Sequence, residues 1–389
     1  MRNERRGFHM FKKSAVLLVI LAFVVALLPA CSATSNTIAI GTIMPISGPV
    51  STYGIQSRDA SQMAIDEINA AGGVLGKKLQ LYVEDDEATP EKTVNAFTKL
   101  VTQHKIVALV GGLTSPCTLA IIADAQKRKV VLVTPSSTND TVTDAGNFIF
   151  RACYNDSFQG QVMAKFAYQN LGAKTAAIIF DNTNDYSKGL KDSFTAAFTA
   201  LGGTLVDTES YAKGDTDFNA QLTKIASNKP DVLFVPDYYS TVSLVAKQAR
   251  TAGITVPMLG ADGWDEIANN AGDEVDGCYY SNHYSPDAND QQVKDFVAAY
   301  KAKYNAEPNA LAALAYDATY MIADAIKLAG STDPDAIQAA MMKTNKKFVT
   351  GQISFNEKRN PVKSAVILEL VKGDVANKPK VVYNTTVNP

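Results

Sequence analysis

The chain has 389 residues, with 37 lysines and arginines against 39 aspartates and glutamates and a formal net charge of -2. This length corresponds to about two domains, and a hydrophobic fraction of 46% is ordinary for a globular protein, which excludes a disordered or fibrous chain. There is no basic excess to bind phosphate backbones, and four cysteines are too few for a disulfide scaffold. Nucleic-acid binding and small disulfide-rich folds are therefore disfavoured.

Residues 1–30 have the pattern of an export signal. Basic residues precede an apolar run at 14–28, which is shorter than the roughly 20 residues that a membrane-spanning helix needs. The sequence LPAC (28–31) resembles a lipobox, in which the cysteine is lipidated and becomes the first mature residue. We therefore expect a lipoprotein signal peptide, a lipid anchor on Cys31 and a small polar tether over residues 31–36.

Two alternatives to this lipoprotein signal remain open, a plain cleaved signal and an uncleaved anchor. The start codon can be that of Met1 or of Met10, and either start leaves the same export signal. We expect the protein to be exported and lipid-anchored to the outer face of the cytoplasmic membrane, or to lie in the periplasm of a two-membrane cell.

Beyond the tether, short β-branched segments alternate with helical segments. A helix is predicted over 57–71, where apolar residues recur with a period near 3.6 before a glycine pair. Two successive series of this kind predict an α/β protein with two doubly wound parallel sheets, and a helical region from about residue 289 leads to two closing strands. The predicted strands are 37–45, 78–86, 106–112, 130–135, 175–182, 204–211, 231–238, 257–262, 365–371 and 379–383.

The sequence lacks the short motifs of the common catalytic and cofactor sites. No G-x-S-x-G, C-x-x-C, H-E-x-x-H or G-x-G-x-x-G occurs, so the sequence predicts no enzymatic activity, no cofactor and no metal. His104 and His283 are the histidines that remain after the signal, and without a partner motif each is interpreted as a surface or packing residue.

Hydroxyl, carboxylate and aromatic side chains follow the predicted strands of both series. In open α/β sheets ligands bind at the carboxyl ends of the strands. Ser115 precedes a proline and is predicted to cap a helix, which leaves free N–H groups for an anion. Hydroxyls on one side, with carboxylates and rings on the other, predict a cleft for a small zwitterion. The alternative is that these side chains are helix caps and core edges. They are Thr114, Ser115, Ser136, Ser137 and Thr138 in the first series, and Tyr186, Asp237, Tyr238, Asp262 and Trp264 in the second.

Six segments carry a more specific signal. They are SGPVSTYG (47–54), AIDEINAAGGVLGKKLQLYVEDDEATP (64–90), GGLTSP (111–116), VTPSSTN (133–139), FRACYNDSFQG (150–160) and AKQARTAGITVPMLGADG (246–263). Through them the chain resembles the branched-chain amino acid (leucine/isoleucine/valine) binding proteins of ABC importers. The resemblance implies a type I periplasmic-binding protein fold, in which two lobes joined by three crossovers hold the ligand in a cleft. Lobe 1 would comprise residues 37–153 and 285–349, and lobe 2 residues 154–284 and 350–389.

The resemblance also implies roles for individual residues. Ser115 and Thr138 would hold the ligand's carboxylate, while the Ser136 carbonyl, the Thr138 hydroxyl and the Asp262 carboxylate would hold its ammonium group. Three rings would close over the ligand, and four further candidates lie beside the cleft. The rings are Tyr53, Tyr186 and Tyr238, and the further candidates are Thr114, Ser137, Asp237 and Trp264.

Some positions depart from the family pattern. Asp262 stands where well-known members have glutamate, which shortens the reach of the carboxylate by one methylene, and Asp237 replaces a small residue. Trp264 adds bulk behind the acid. Ala88 and Thr114 stand where some relatives have disulfide-forming cysteines. Despite these departures, the carboxylate and ammonium sites are still predicted. The identity of the ligand's side chain is not.

The implied function is capture of an amino acid, most simply a branched-chain one, and its delivery to an ABC importer. The expected partners are the amino acid, the permease subunits and the membrane through the lipid, and the protein is expected to be a monomer. A binding protein for amides, short peptides or urea-like solutes, or a ligand-sensing receptor subunit, is the alternative. The odd number of cysteines beyond the signal (Cys117, Cys153 and Cys278) predicts at least one buried free thiol.

Overall fold

The computed structural model describes residues 36–373 and 379–387. The predicted signal peptide, the lipidation site Cys31 and the tether up to residue 35 lie outside the described residues. The described residues from Thr37 onwards form one compact unit, which contains two large β-sheets and a two-stranded hairpin. None of the helices that the structure describes is both long enough and apolar enough to cross a membrane.

The first sheet has five strands, all parallel, in the order β2-β1-β3-β4-β5. Alternate residues of its short central strands face opposite helical layers, because successive side chains of a strand point to opposite faces. Leu109 and Leu132 pack with Phe97 and Ile121 on one face, while Val110 belongs to the larger apolar cluster on the other. Its strands are β1 (Thr37–Met44), β2 (Lys78–Asp85), β3 (Ala108–Gly111), β4 (Val131–Thr134) and β5 (Ile149–Arg151).

The second sheet has seven strands in the order β14-β13-β10-β9-β8-β6-β7. Five of them are parallel, as predicted, but β13 and β14 run antiparallel to their neighbours, so this sheet is mixed. The strands are β6 (Thr175–Asp181), β7 (Thr204–Tyr211), β8 (Val232–Phe234), β9 (Met258–Gly260), β10 (Cys278–Asn282), β13 (Ala365–Lys372) and β14 (Pro379–Val387), and the separate hairpin is β11 (Asn345–Phe348) with β12 (Gly351–Ser354).

The helices cover both faces of each sheet, as the alternation of strands and helices predicts. The first helix begins at Ser51, six residues before its predicted start. The α-helices are α1 (Ser51–Ala70), α2 (Pro90–Lys99), α3 (Ser115–Arg128), α4 (Asp156–Lys165), α5 (Asp185–Ala200), α6 (Asn219–Asn228), α7 (Tyr239–Thr251), α8 (Ile267–Asn270), α9 (Gln291–Tyr304), α10 (Ala310–Ala329) and α11 (Pro334–Met341). Five-residue π-helical turns follow α2 and α4, at Leu100–His104 and Phe166–Asn170.

The chain passes between the two sheets three times, after β5, after β10 and before β13. Helices α9 and α10 return to the first sheet and pack on α1, where the Tyr304 hydroxyl donates to the Asp59 carbonyl at 2.7 Å. We call the five-stranded sheet with its helices the first lobe, and the seven-stranded sheet with its helices the second lobe. The late helices thus complete the first lobe and the last strands complete the second.

Candidate functional site

A cavity lies between the two lobes, at the carboxyl ends of β3 and β4 on one side and of β6, β8 and β9 on the other. The space between its lining atoms is about 270 Å³ with open solvent included, and only about 10 Å³ of it has room for the centre of a water-sized sphere, so the two walls lie close together. Seven of the residues singled out in the sequence line it, together with Leu113, Gly263 and Leu311, and the seven are Tyr53, Thr114, Ser115, Ser136, Tyr186, Tyr238 and Asp262. The loops that follow the parallel strands therefore meet as the strand directions predict.

On the first lobe the cavity wall is made by two hydroxyl-bearing loops. Helix α3 begins at Ser115, so Thr114 is the N-cap residue and the prediction that Ser115 caps the helix is wrong by one position. The Ser115 hydroxyl accepts from the Asn139 N–H at 3.2 Å, and the Ser136 hydroxyl donates to the Leu113 carbonyl at 2.8 Å. These two bonds tie the loop after β3 to the loop after β4, which gives the hydroxyl wall a defined shape.

A buried arginine lies behind the second of these loops. Arg151, at the end of β5, is fully buried, and its guanidinium donates to the carbonyls of residues 137–140, with the bond to Thr138 at 2.9 Å. These hydrogen bonds direct the four carbonyls towards the guanidinium, and they thereby fix the orientation of the loop relative to the cavity. Thr138 is itself buried beside the cavity rather than in its lining, and its hydroxyl has no hydrogen-bond partner.

On the second lobe the centre of the wall is the Asp262 carboxylate, which is 3% exposed. Its Oδ1 accepts from the Tyr186 hydroxyl at 2.8 Å and from the Gln159 side-chain amide at 3.1 Å, and its Oδ2 lies 3.2 Å from His283 Nε2. The Tyr186 hydroxyl in turn accepts from the Gly263 N–H at 2.8 Å. The carboxylate is therefore held from behind by three side chains while one face lines the cavity.

Aromatic and aliphatic groups form the rest of the lining. Tyr186 and Tyr238 stack with centroids 5.0 Å apart and an interplanar angle of 6°, and Tyr53 meets Tyr238 edge to face at 6.4 Å. Burial raises the pKa of all three phenols well above its ordinary value, so the rings are neutral. With Leu113 and Leu311, the rings provide an apolar surface beside the polar groups.

Three of the sequence candidates turn their polar atoms away from the cavity. Ser137 donates to main-chain carbonyls of residues 112 and 113, and the Asp237 carboxylate accepts from the Tyr211 hydroxyl at 2.6 Å and the Tyr238 N–H at 2.7 Å. The fully buried Trp264 indole donates to the Val235 carbonyl at 2.8 Å. None of the three lines the cavity, so they support the residues that do.

Several hydrogen bonds join the two lobes around the cavity. The Tyr53 hydroxyl donates to the Gly263 carbonyl at 2.6 Å and lies 3.2 Å from the Asp265 carbonyl. The main-chain N–H of Ala310, the first residue of α10, donates to the Asp265 carboxylate at 2.6 Å. The Asn139 side-chain amide donates to the Asp185 carbonyl at 2.9 Å. The cavity wall and the contacts between the lobes therefore share one segment, residues 262–265.

The sequence did not single out Gln159, Leu311 or Arg151, and it gave His283 no role in binding. Gln159 and Arg151 lie in FRACYNDSFQG, one of the six segments that carry the family resemblance, and this membership is the signal that could have found them. His283 is buried, as a packing histidine should be, but it also contacts the candidate ammonium ligand Asp262. The other histidine beyond the signal, His104, stacks on Tyr82 with ring centroids 4.2 Å apart.

Metal binding and cysteine chemistry can be assessed for residues 36–373 and 379–387. In that part of the chain no group of three or more histidine, cysteine, aspartate or glutamate side chains is arranged to hold a metal ion. The three described cysteines are all free and buried, which confirms the expectation of a buried thiol. Burial raises the pKa of Cys117 and Cys153 to about 12 and that of Cys278 to about 11, so the thiols are protonated.

Fold and cavity together define a two-lobed solute receptor, and comparison with known proteins gives its family. The periplasmic binding protein family matches residues 37–374, and the chain belongs to this family. Its structure is similar to that of the leucine-binding protein LivK from Thermotoga maritima, with a TM-score of 0.85 and 36% identity over 90% of this chain and 99% of that one. The type I periplasmic-binding fold predicted from the sequence is thereby confirmed.

Other relatives carry names of the same kind. The Leu/Ile/Val-binding protein homolog 3 of Brucella melitensis is 33% identical over 84% of this chain and 89% of its own length. The branched-chain amino acid transporter substrate-binding protein LivJ of Streptococcus pneumoniae, solved in complex with isoleucine, has a TM-score of 0.82 and 36% identity over 90% of this chain and all of that one. A solute-binding protein of an ABC transporter from Rhodopseudomonas palustris, in complex with 3,4-dihydroxybenzoic acid, has a TM-score of 0.82 and 25% identity over 91% of this chain and 98% of its own.

Proposed function

We propose that this protein binds a free amino acid with a branched aliphatic side chain between its lobes and delivers it to an ABC importer. The observation that carries the proposal is the pair of opposed walls, with hydroxyls and the start of α3 on one side and the Asp262 carboxylate on the other. An ammonium group and a carboxylate on one small molecule satisfy both walls at once.

We assign each part of the ligand to one part of the cavity wall. The ligand's carboxylate lies at the start of α3, next to Ser115, where helix N–H groups and the helix dipole favour an anion. Its ammonium group lies at Asp262, with the Ser136 carbonyl as a further acceptor. The Thr138 hydroxyl is buried behind this lining and does not reach the cavity in this structure. The aliphatic side chain packs on Tyr186, Tyr238, Leu113 and Leu311.

The mechanism is capture followed by delivery. The lobes close because the ligand bonds both of them, so its affinity is greater for the closed form than for the open one. The contacts of Tyr53 with Gly263 and Asp265 belong to the closed form. The closed receptor then docks on the permease. The export signal and the lipid on Cys31 would keep the receptor, as a monomer without enzymatic activity, at the outer face of the membrane.

A ligand with only a carboxylate is the second candidate, because the relative from Rhodopseudomonas palustris binds an aromatic acid. Asp262 distinguishes the two classes. An aromatic acid would leave this buried carboxylate opposite a neutral ring, without a positive partner, whereas an amino acid provides one. Amides and short peptides with a free ammonium group satisfy Asp262 as well, and they belong in the same assay.

The test is isothermal titration of residues 37–389 with the twenty amino acids, benzoate, acetamide and dileucine. We expect heat with leucine, isoleucine or valine. Asp262→Asn keeps an acceptor for Tyr186 and Gln159 but removes the charge, so Kd should rise about 10²- to 10³-fold, the equivalent of about 3–4 kcal/mol. The matched control is Asp317→Asn, a second buried acid whose oxygens bond the main-chain N–H groups of Val349 and Thr350 and which does not line the cavity, and it should keep its affinity. Absence of binding with every amino acid would refute the proposal.

A further inference from the structure

The Asp262 carboxylate, which we propose binds the ligand's ammonium group, has a histidine as a neighbour. His283, directly after β10, presents Nε2 to Asp262 Oδ2 at 3.2 Å, and both side chains are buried. The other two contacts of the carboxylate, from Tyr186 and Gln159, are both to Oδ1. Oδ2 is therefore oriented by His283, and its second lone pair is the position left for a ligand.

The donor roles around this carboxylate follow from the remaining contacts. Gln159 Oε1 accepts from the Ser281 hydroxyl at 3.3 Å and the Asp262 N–H at 3.4 Å, so the amide NH₂ of Gln159 must face the carboxylate. His283 Nδ1 is buried and has no hydrogen-bond partner. A proton on Nε2 alone gives Asp262 a donor and leaves Nδ1 as a bare acceptor, whereas a second proton on Nδ1 would be an unsatisfied buried donor.

Groups on three sides set the protonation of this imidazole. Tyr154, which follows β5, stacks on the ring with centroids 3.9 Å apart, Asp262 faces it from the end of β9, and Lys363 lies in the segment before β13. Burial lowers the pKa of His283 below its ordinary value, and Lys363 acts in the same direction, while Asp262 opposes them. The neutral ring is therefore the resting form near neutral pH.

From this arrangement, and resting on the proposed function, we infer that His283 is a positioning residue for the ammonium site and that its protonation competes with the ligand for Asp262. The neutral ring holds Oδ2 towards the cavity. An imidazolium would form an ion pair with the same carboxylate, and a ligand ammonium beside it would meet a like charge. Ligand binding then displaces a proton in acid, so Kd rises as the pH falls through the pKa of His283.

Two substitutions distinguish the positioning role of His283 from the effect of its charge. His283→Gln places an amide donor near the position of Nε2 but cannot be protonated, and His283→Phe keeps the ring against Tyr154 but removes the donor. Isothermal titration of residues 37–389 with L-leucine at pH 5.0, 6.0 and 7.5 measures both effects, and circular dichroism at each pH verifies that the variants are folded.

For the unchanged protein we expect Kd to increase as the pH falls from 7.5 to 5.0. His283→Gln should bind within about threefold of it at pH 7.5 and show a weaker pH dependence, while His283→Phe should bind about tenfold more weakly at pH 7.5. Asp265 also titrates near pH 7, and comparison with the glutamine variant removes its contribution. The inference is overturned if His283→Phe binds leucine as tightly as the unchanged protein, or if His283→Gln shows the same pH dependence as the unchanged protein. Either result leaves the proposed function intact. Failure of the unchanged protein to bind leucine overturns the proposed function and this inference with it.

Discussion

Replacing Tyr53 by phenylalanine removes a single hydroxyl that joins the lobes. The ring contacts of Tyr53 with Tyr238 and Tyr239 remain, whereas the 2.6 Å bond to the Gly263 carbonyl and the weaker contact with Asp265 are lost. Tyr53 and Gly263 are both buried, so in the closed form the carbonyl has no water to replace the hydroxyl. Once the lobes separate, water can bond both groups. The loss therefore falls on the closed form alone.

A buried acceptor left without its donor costs about 1–3 kcal/mol, and if the whole cost falls on the closed form it raises Kd about 5- to 150-fold. Isothermal titration of Tyr53→Phe with leucine measures this change, and urea denaturation without ligand measures stability. The matched control is Tyr304→Phe, which removes a hydroxyl bond to the Asp59 carbonyl within the first lobe. It should lower stability by about 1 kcal/mol and leave affinity unchanged. Equal affinities for Tyr53→Phe and the unchanged protein would refute the assignment of this bond to closure.

Two further predictions concern stability. Arg151→Met removes a guanidinium that bonds four consecutive carbonyls, so the free energy of unfolding should fall by about 2–3 kcal/mol in urea denaturation; an unchanged midpoint would contradict the role of Arg151 behind the loop. Burial raises the pKa of Asp237 to about 7. Between about pH 4 and 7 the folded state keeps a proton that the unfolded state has lost, so this residue lowers stability as pH rises through that window. As the pH rises from 4.5 to 7.5, the free energy of unfolding of Asp237→Asn should fall less than that of the unchanged protein. Equal decreases in urea denaturation would show that Asp237 does not titrate in this range.

The strands that the sequence predicts correctly are those in which apolar and β-branched residues recur along the segment, such as β1 and β6. Three kinds of element escape this signal. β5 has only three residues and ends in the buried Arg151, and β10 carries buried polar residues, Ser281 and Asn282, which donate to the side chains of Gln159 and Asp265. The hairpin of β11 and β12 includes two exposed lysines. Their strand conformation depends on neighbours that are distant in sequence.

The cavity residues were predictable to the extent that they follow strands. Ser115, Ser136 and Asp262 stand directly after buried β-segments, so the topology alone brings them together. Gln159 and His283 contact Asp262 across 103 and 21 positions of sequence, and no spacing rule connects them. Conversely, Asp237 and Trp264 also follow strands but bond groups within the second lobe, because position at a strand end does not determine where a side chain points.

The place of β13 in the second sheet has a consequence for how the chain is made. This strand lies between β10 and β14, so the sheet stays incomplete until residues 365–372 have left the ribosome. The first lobe similarly waits for α10, which covers the helix α1 of its amino-terminal half. Neither lobe is a continuous stretch that can fold during synthesis by itself, and such distant pairings slow folding. A chain whose two lobes are both completed by late segments remains longer in an incompletely folded form, which is the form that a translocation channel can accept.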